Sequence, residues 1–328
     1  MDVLVTGATG FIGSNLARRL VKLGYPVRIL VRKNSNHRAI SDFESRVKIV
    51  YGDVTDKASL IEATKGVSHI YHCAGKAYIG PGKREQLYNI NVLGTRNLLD
   101  VARENGVARV VYTSSVSAIG ITGTKKPADE TQQWNLGELK VDYYTSKHLA
   151  ELEVAEAVKK GLDCVIVNPS YVFGAGDINF NAGMLIRDLY LRKVPAYPSG
   201  GINVSDIEDV VDGHLAAMEK GKTGERYILG GKNLSYKELF DLICDIVGAP
   251  KVFVPITESI VKIFVALTEN ARKLRRITAL ANREILLSAT KYFYYTPQKA
   301  IQELGLNVRQ PEESITHAYE YYKAHHLL

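Results

Sequence analysis

The chain of 328 residues reads as an α/β protein, a doubly wound parallel sheet with a smaller, mostly C-terminal unit beside it. Three observations predict this. Short β-branched runs alternate with helical stretches from the first residues, the runs are apolar on both faces, and glycines stand between the first run and the first helix. VLVTG opens as a strand, and Ile12, Leu16, Leu20 and Leu23 then make an apolar stripe at helical spacing that Gly24 stops. PVRILVR, RVKIVYGDV, HIYHCAG, ARVVYTSS and DCVIVNPS follow as strands with helical stretches between them. After about residue 170 the alternation fades into glycine, proline and tyrosine, as in VPAYPSGG and KYFYYTP. The expected division is residues 1–170 for the first unit and mainly 171–328 for the second, with a strand near 200–230, ERYILGG, returning to the first sheet. In PEESITHAYEYYKAHHLL the proline and two glutamates are placed to open a terminal helix.

Composition narrows the class. Hydrophobic residues are 46% and charged residues 23%, the balance of a soluble globular protein and not of a disordered, collagen-like or disulfide-scaffold chain. Cys73, Cys164 and Cys244 are odd in number and lack metal-ligand spacing, so a reduced, cytoplasmic setting without a metal is expected. No apolar run approaches the ~20 residues of a membrane span, and Met1 and Asp2 lead straight into a strand with no signal segment. The formal charge is +7, and residues 251–291 hold Lys251, Lys262, Arg272, Lys273, Arg275, Arg276, Arg283 and Lys291 against Glu258, Glu269 and Glu284. The reading taken is a solvated helix face, with weak contact to a membrane surface or an anion as the other reading and no nucleic-acid partner.

VTGATGFIGSNL sets Gly7, Gly10 and Gly13 between strand and helix. Gly7 permits a tight turn, Gly10 lets the backbone approach a pyrophosphate, and Gly13 lets the helix pack on the strand, with its N-terminus aimed at phosphate charge. The second strand ends in Arg32 and Lys33, with no carboxylate before Asp42. That favours NADP over NAD, Arg32 forking the 2′-phosphate and Lys33 assisting. Asp53 and Val54 close the third strand, where Asp53 would either accept from an adenine amino group or cap a turn.

Three Tyr-x-x-x-Lys intervals occur, Tyr143 with Lys147, Tyr295 with Lys299 and Tyr319 with Lys323. Only the first lies in an uninterrupted helical stretch after a strand of the sheet, and at i and i+4 its members share a face. A phenol titrates near pH 10, so a neighbouring ammonium is expected to lower Tyr143 toward useful proton exchange. Tyr143 would protonate a carbonyl oxygen as hydride reaches carbon, and Ser115, at a strand end, would hold that oxygen.

TGATGFIG, DV at Asp53 and Val54, HCAG, NVLGTRN, TSSVSAIG, YYTSK and NPSYVFG occur in the order of the extended short-chain dehydrogenase/reductase superfamily, which the first 230 residues or so resemble. Within it the chain is similar to the dihydroflavonol 4-reductase-like group, including members described as hopanoid-associated sugar epimerases. The resemblance implies a Rossmann-type sheet and a Ser115, Tyr143, Lys147 triad, Ser114 replacing Ser115 if the register slips by one. It implies that Thr9, Phe11 and Ile12 of the glycine turn and Ala74, Gly75 and Lys76 after the fourth strand line the cofactor. Asn91, Thr113, Tyr171 and Val172 join them, with Pro169 beside the nicotinamide and Lys147 on its ribose. It implies a homodimer through two helices per subunit, here residues 85–105 and 143–160. Two departures stand out. Asp206 replaces a histidine common in relatives, and Val116 and Ser117 stand where related sugar dehydratases carry two carboxylates. The expected activity is NADPH-dependent reduction of a ketone or aldehyde on a moderately large, partly apolar small-molecule substrate, with Tyr171, Phe173, Tyr190, Tyr197, Phe264 and Tyr292 available to line its pocket. A nucleotide-sugar epimerase with tightly bound NAD(P) is the alternative.

Overall fold

In the computed structural model, which describes residues 2–80, 82–261 and 283–328, β1 (Val3–Thr6) lies inside the main sheet, next to its middle strand. β2 (Val27–Val31) and β3 (Lys48–Tyr51) extend it to one side. β4 (His69–His72), β5 (Arg109–Thr113) and β6 (Cys164–Pro169) extend it to the other, and every pairing is parallel. Strand order therefore reverses between β1 and β4, and the crevice beyond their C-terminal ends is where ligands of such sheets bind.

Side-chain alternation drives the layering. Val3 and Val5 face one way, into a cluster with Leu16 and Leu20 of α1 (Phe11–Lys22). Leu4 faces the other way, among residues of α2 (Lys57–Thr64), of α4 (Gly94–Glu104) and of α5 (Asp142–Lys159). A short α3 (Arg84–Tyr88) runs through a π-helical turn, Asn89–Leu93, into α4. Two details depart from the expected pattern. Leu23 caps α1 and is 57% exposed instead of joining the stripe, because the helix ends at Lys22 and Gly24 turns the chain at φ +82°. β3 is the sheet edge, so Lys48 and Tyr51 are exposed and it is not apolar on both faces.

After β6 the chain forms β7 (Tyr171–Phe173), α6 (Gly183–Tyr190), β8 (Tyr197–Pro198), β9 (Gly201–Asp206) and α7 (Ile207–Lys220). β10 (Arg226–Leu229) then joins the main sheet as its seventh strand, pairing parallel with β6. β11 (Lys232–Ser235), α8 (Tyr236–Val247), β12 (Pro255–Ile256), α9 (Arg283–Ala289) and β13 (Tyr292–Phe293) follow. β9 pairs with β7, β11 and β13 in a second sheet, while β8 and β12 pair separately. α10 (Gln298–Leu304) and α11 (Pro311–Ala324) end the chain. Pro311 occupies the first turn of α11 with Glu312 and Glu313, and Ile315 and Tyr322 bury against Leu239, Ile243 and Phe173.

Among the described residues no helix is long and apolar enough to cross a membrane. Of the basic segment, Lys262, Arg272, Lys273, Arg275 and Arg276 lie outside the described residues, as does Phe264. Of the other aromatics expected in a pocket, Phe173 is core, Tyr190 is exposed, and Tyr171, Tyr197 and Tyr292 are half-buried.

Candidate active site

The glycine turn fits a dinucleotide on steric grounds. Gly7 sits at φ +70°, and a Cβ there would lie 2.6 Å from the Cys73 and Ala74 backbone. A Cβ on Gly13 would run into the Gly7 carbonyl. Gly10 caps α1 without any side-chain cap, and the first turn holds no acidic residue, so the positive end of the helix dipole is left for an external anion. Thr9, the buried Phe11 and the half-buried Ile12 complete the turn.

Arg32 and Lys33 are exposed just beyond β2, and neither makes a side-chain hydrogen bond or ion pair among the described residues. Lys76 lies across the crevice. Its pKa is lowered by burial, then by Lys83 and by Arg32. Asp53 spends one carboxylate oxygen on its own turn, accepting from the Thr55 amide and hydroxyl at 2.9 Å each, while Val54 is buried beside it.

A buried polar chain runs beneath this floor. The Ala74 amide donates to Thr6 Oγ1 at 3.1 Å, and Thr6 Oγ1 lies 2.7 Å from His72 Nδ1. His72 Nε2 lies 3.1 Å from Thr95 Oγ1, which donates to the Asn91 carbonyl at 2.7 Å. Because Thr95 is a donor there, His72 must donate from Nε2 and accept at Nδ1 from Thr6. Asn91 Nδ2 donates to the Lys76 carbonyl at 3.1 Å and to Ser146 Oγ at 2.9 Å, and Asn91 Oδ1 accepts from the Lys76 amide at 2.7 Å. Ser146 in turn donates to the Tyr143 carbonyl at 2.8 Å. This network ties β1, β4 and α5 together around the crevice.

On α5 the paired tyrosines divide their work. Tyr144 packs against Phe293, ring centroids 5.8 Å apart, while the Tyr143 hydroxyl lies on the side of Ser115 and Ser117. Burial raises the Tyr143 pKa, and hydrogen bonds from Ser115 and then Ser117 oppose that rise. This corrects the expectation that Lys147 lowers the phenol. The ammonium is turned elsewhere, donating to the Thr113 carbonyl at 2.9 Å above the Tyr112 ring, and a Cβ on Gly75 would lie 3.3 Å from it. Lys147 is itself buried, which pushes it down to about 8, against the opposing charge of Glu151. Ser114 Oγ is buried without a hydrogen-bond partner among the described residues, and Ser115 is the strand-end serine beside the Tyr143 hydroxyl.

The remaining expected residues fall around the same crevice or close to it. Thr113 binds His214 Nε2 at 2.9 Å and Cys73 Sγ at 3.2 Å through its hydroxyl. Pro169 ends β6 and Tyr171 and Val172 open β7, with Tyr171 edge-on to Phe173 at 5.2 Å. Asp206 caps α7, its Oδ1 accepting from the Glu208 amide at 2.7 Å. The two other Tyr-x-x-x-Lys pairs are engaged differently. Tyr295 is fully buried and Lys299 pairs with Glu225 at 2.6 Å, while Lys323 lies over the Tyr319 ring on α11. Sequence reasoning missed Ser117, His72, Asn168 and Glu151, whose partners come from helices and strands distant in sequence. HCAG contains His72 and NPSYVFG contains Asn168, but neither run indicates the contacts these side chains make.

Fold and glycine turn together define a Rossmann-type protein built to hold a dinucleotide. The chain belongs to the NAD-dependent epimerase/dehydratase family, whose profile matches residues 3–230. It is 38% identical over 328 residues to a Synechocystis sp. protein named "Putative dihydroflavonol 4-reductase", covering 98% of this chain and 94% of that one. It is 35% identical over 254 residues to sterol demethylase protein B of Methylococcus capsulatus, covering 76% of each. The crystal structure of gox2253 superposes with a TM-score of 0.90 at 35% identity, covering 100% of this chain and 99% of that one. The chain is thus an NAD(P)-dependent oxidoreductase of the extended short-chain dehydrogenase/reductase superfamily.

Proposed function

We propose that the protein is an NADPH-dependent carbonyl reductase that turns a ketone or aldehyde into an alcohol through Ser115, Tyr143 and Lys147. The observation that carries this reading is the Tyr143 hydroxyl beside Ser115, one helical turn from a buried ammonium. The bound cofactor supplies hydride to the carbonyl carbon. Ser115 holds the carbonyl oxygen by donating to it, and Tyr143 delivers the proton that completes the alcohol. Lys147, anchored on Thr113, provides positive charge within a turn of the phenolate left behind and a donor toward the cofactor ribose. The name of the Synechocystis relative supports a reductase, and Val116 and Ser117 offer no acid–base pair for dehydration.

Arg32 is the basis for NADP. An unpartnered guanidinium at the β2 terminus matches a 2′-phosphate with its fork of donors, and Lys33 and Lys76 add charge nearby. Residues 171–328, β10 apart, are read as the main substrate side, acting on a small carbonyl compound in the reducing interior of the cell. A homodimer through α3–α4 and α5 is part of the same reading, since Leu152 and Ala155 of α5 are left exposed.

NADPH oxidation over a panel of ketones and aldehydes tests the mechanism. Tyr143→Phe is expected to reduce turnover at least 100-fold, and unchanged turnover would remove the mechanism. Arg32→Ala is expected to weaken NADPH binding about tenfold or more, the loss of one charge-assisted fork, while leaving NADH binding unaffected. Equal affinities throughout would reject the NADP assignment. Cofactor retained through purification, with stabilisation by a UDP-sugar, would favour the epimerase alternative.

A further inference from the structure

Glu151 is 3% exposed on α5, four residues after Lys147, so it lies one helical turn behind the ammonium on the same face. Two strands anchor it. Asn168 of β6 donates to Oε1 at 2.7 Å, and Arg226 of β10 pairs with Oε2 at 2.9 Å. Asn168 Nδ2 also lies 2.9 Å from the Ser115 carbonyl, so one amide binds both the carboxylate and the backbone of the site serine. The outer side of Arg226 lines a cavity of about 690 Å³ with Trp134, His148 and Lys299, to which Ser115, Tyr143 and Lys147 do not contribute.

We propose that Glu151 is a positioning residue for Lys147, an anchored negative charge that keeps the buried lysine protonated and directed at Thr113. The inference rests on the reading of Lys147 as part of the site. Burying an ammonium in a low-dielectric setting disfavours its charge, and an anion within one turn offsets that. The groups facing Lys147 are Glu151 and Tyr143 on its own helix, Tyr112 on β5, and His72 and Cys73 at the end of β4. Burial leaves the others neutral near pH 7. It pushes Cys73 up to about 11 and His72 down to about 3, and it raises Tyr112 and Tyr143. Glu151 is therefore the one anion facing the ammonium among the described residues. Burial raises its own pKa, and Arg226 opposes this first, then Ser114 and Asn168. Among the described residues no hydrogen bond or ion pair joins Lys147 to Glu151, so the coupling acts through space while Arg226 and Asn168 hold the carboxylate in place.

The test is titration of Lys147 in protein carrying 13Cε-lysine, its resonance assigned by its loss in Lys147→Met. The midpoint is expected near 8 in the unaltered protein. It should fall by about half a unit or more in Glu151→Gln and recover in part in Glu151→Asp. An unmoved or higher midpoint in Glu151→Gln would overturn the proposal. Should Glu151→Gln not fold, the double variant Glu151→Met with Arg226→Met removes both charges without orphaning either. The same fall is expected there, and an unmoved midpoint again overturns the idea. The titration needs no turnover, so its failure is separate from that of the carbonyl-reductase reading, which Tyr143→Phe decides.

Discussion

At Gly13 the constraint on the nucleotide turn is one of room, since any side chain there meets the Gly7 carbonyl that receives the Gly10 amide at 2.9 Å. Gly13→Ala should therefore destabilise the fold by about 1–3 kcal/mol and weaken dinucleotide binding, measured by urea unfolding and by cofactor fluorescence. Loss of neither would show that the turn relaxes freely. The glycines were legible because their spacing and strand-to-helix position have a steric meaning in the chain itself. Tyr143 could be chosen over Tyr295 and Tyr319 for a similar reason, because helix continuity can be read locally. The direction of its pKa could not. That depends on how deeply the ring is buried and where the Lys147 tip points, and the tip goes to the Thr113 carbonyl on a strand some thirty residues earlier.

Among the elements, α5 carries the most, with Tyr143, Lys147 and Glu151 toward the sheet and Leu152 and Ala155 outward. Beside it, α4 contributes Arg96, which holds Glu153 through two contacts of 2.8 and 2.6 Å. If this surface is a dimer interface, Leu152→Arg should shift the protein from dimer to monomer in light scattering while cofactor binding persists. A protein monomeric before the change would refute the dimer. The main-sheet strands were readable because their apolar runs reflect burial on both faces. The second sheet was not, since β13 has two residues and its partner β9 lies some ninety residues earlier. The π turn at Asn89–Leu93 also escaped, because a helical stripe does not reveal the local widening that places Asn91 between Lys76 and Ser146.

For the molecule as a whole, two fully buried imidazoles contribute to its response to acid. Burial holds His72 down at about 3 and His214 at about 4, both below the ordinary value of 6.5. Below pH 6.5 the unfolded chain therefore binds protons that the folded chain does not. Stability is full above that pH and is lost as pH falls, by up to about 1.4 kcal/mol per unit for each histidine. Urea midpoints measured from pH 7 down to 4.5 should decline accordingly, and His72→Asn should flatten the slope, whereas an identical slope would assign acid sensitivity elsewhere. β10 has a consequence of the same breadth. Its residues arrive some sixty positions after β6, yet they cover the flank of that strand and carry the arginine that meets Glu151. A fragment cut near residue 170 would leave a long apolar border of amides and carbonyls open to self-association, so the nucleotide half should precipitate when expressed alone and stay dispersed once residues through 230 are restored.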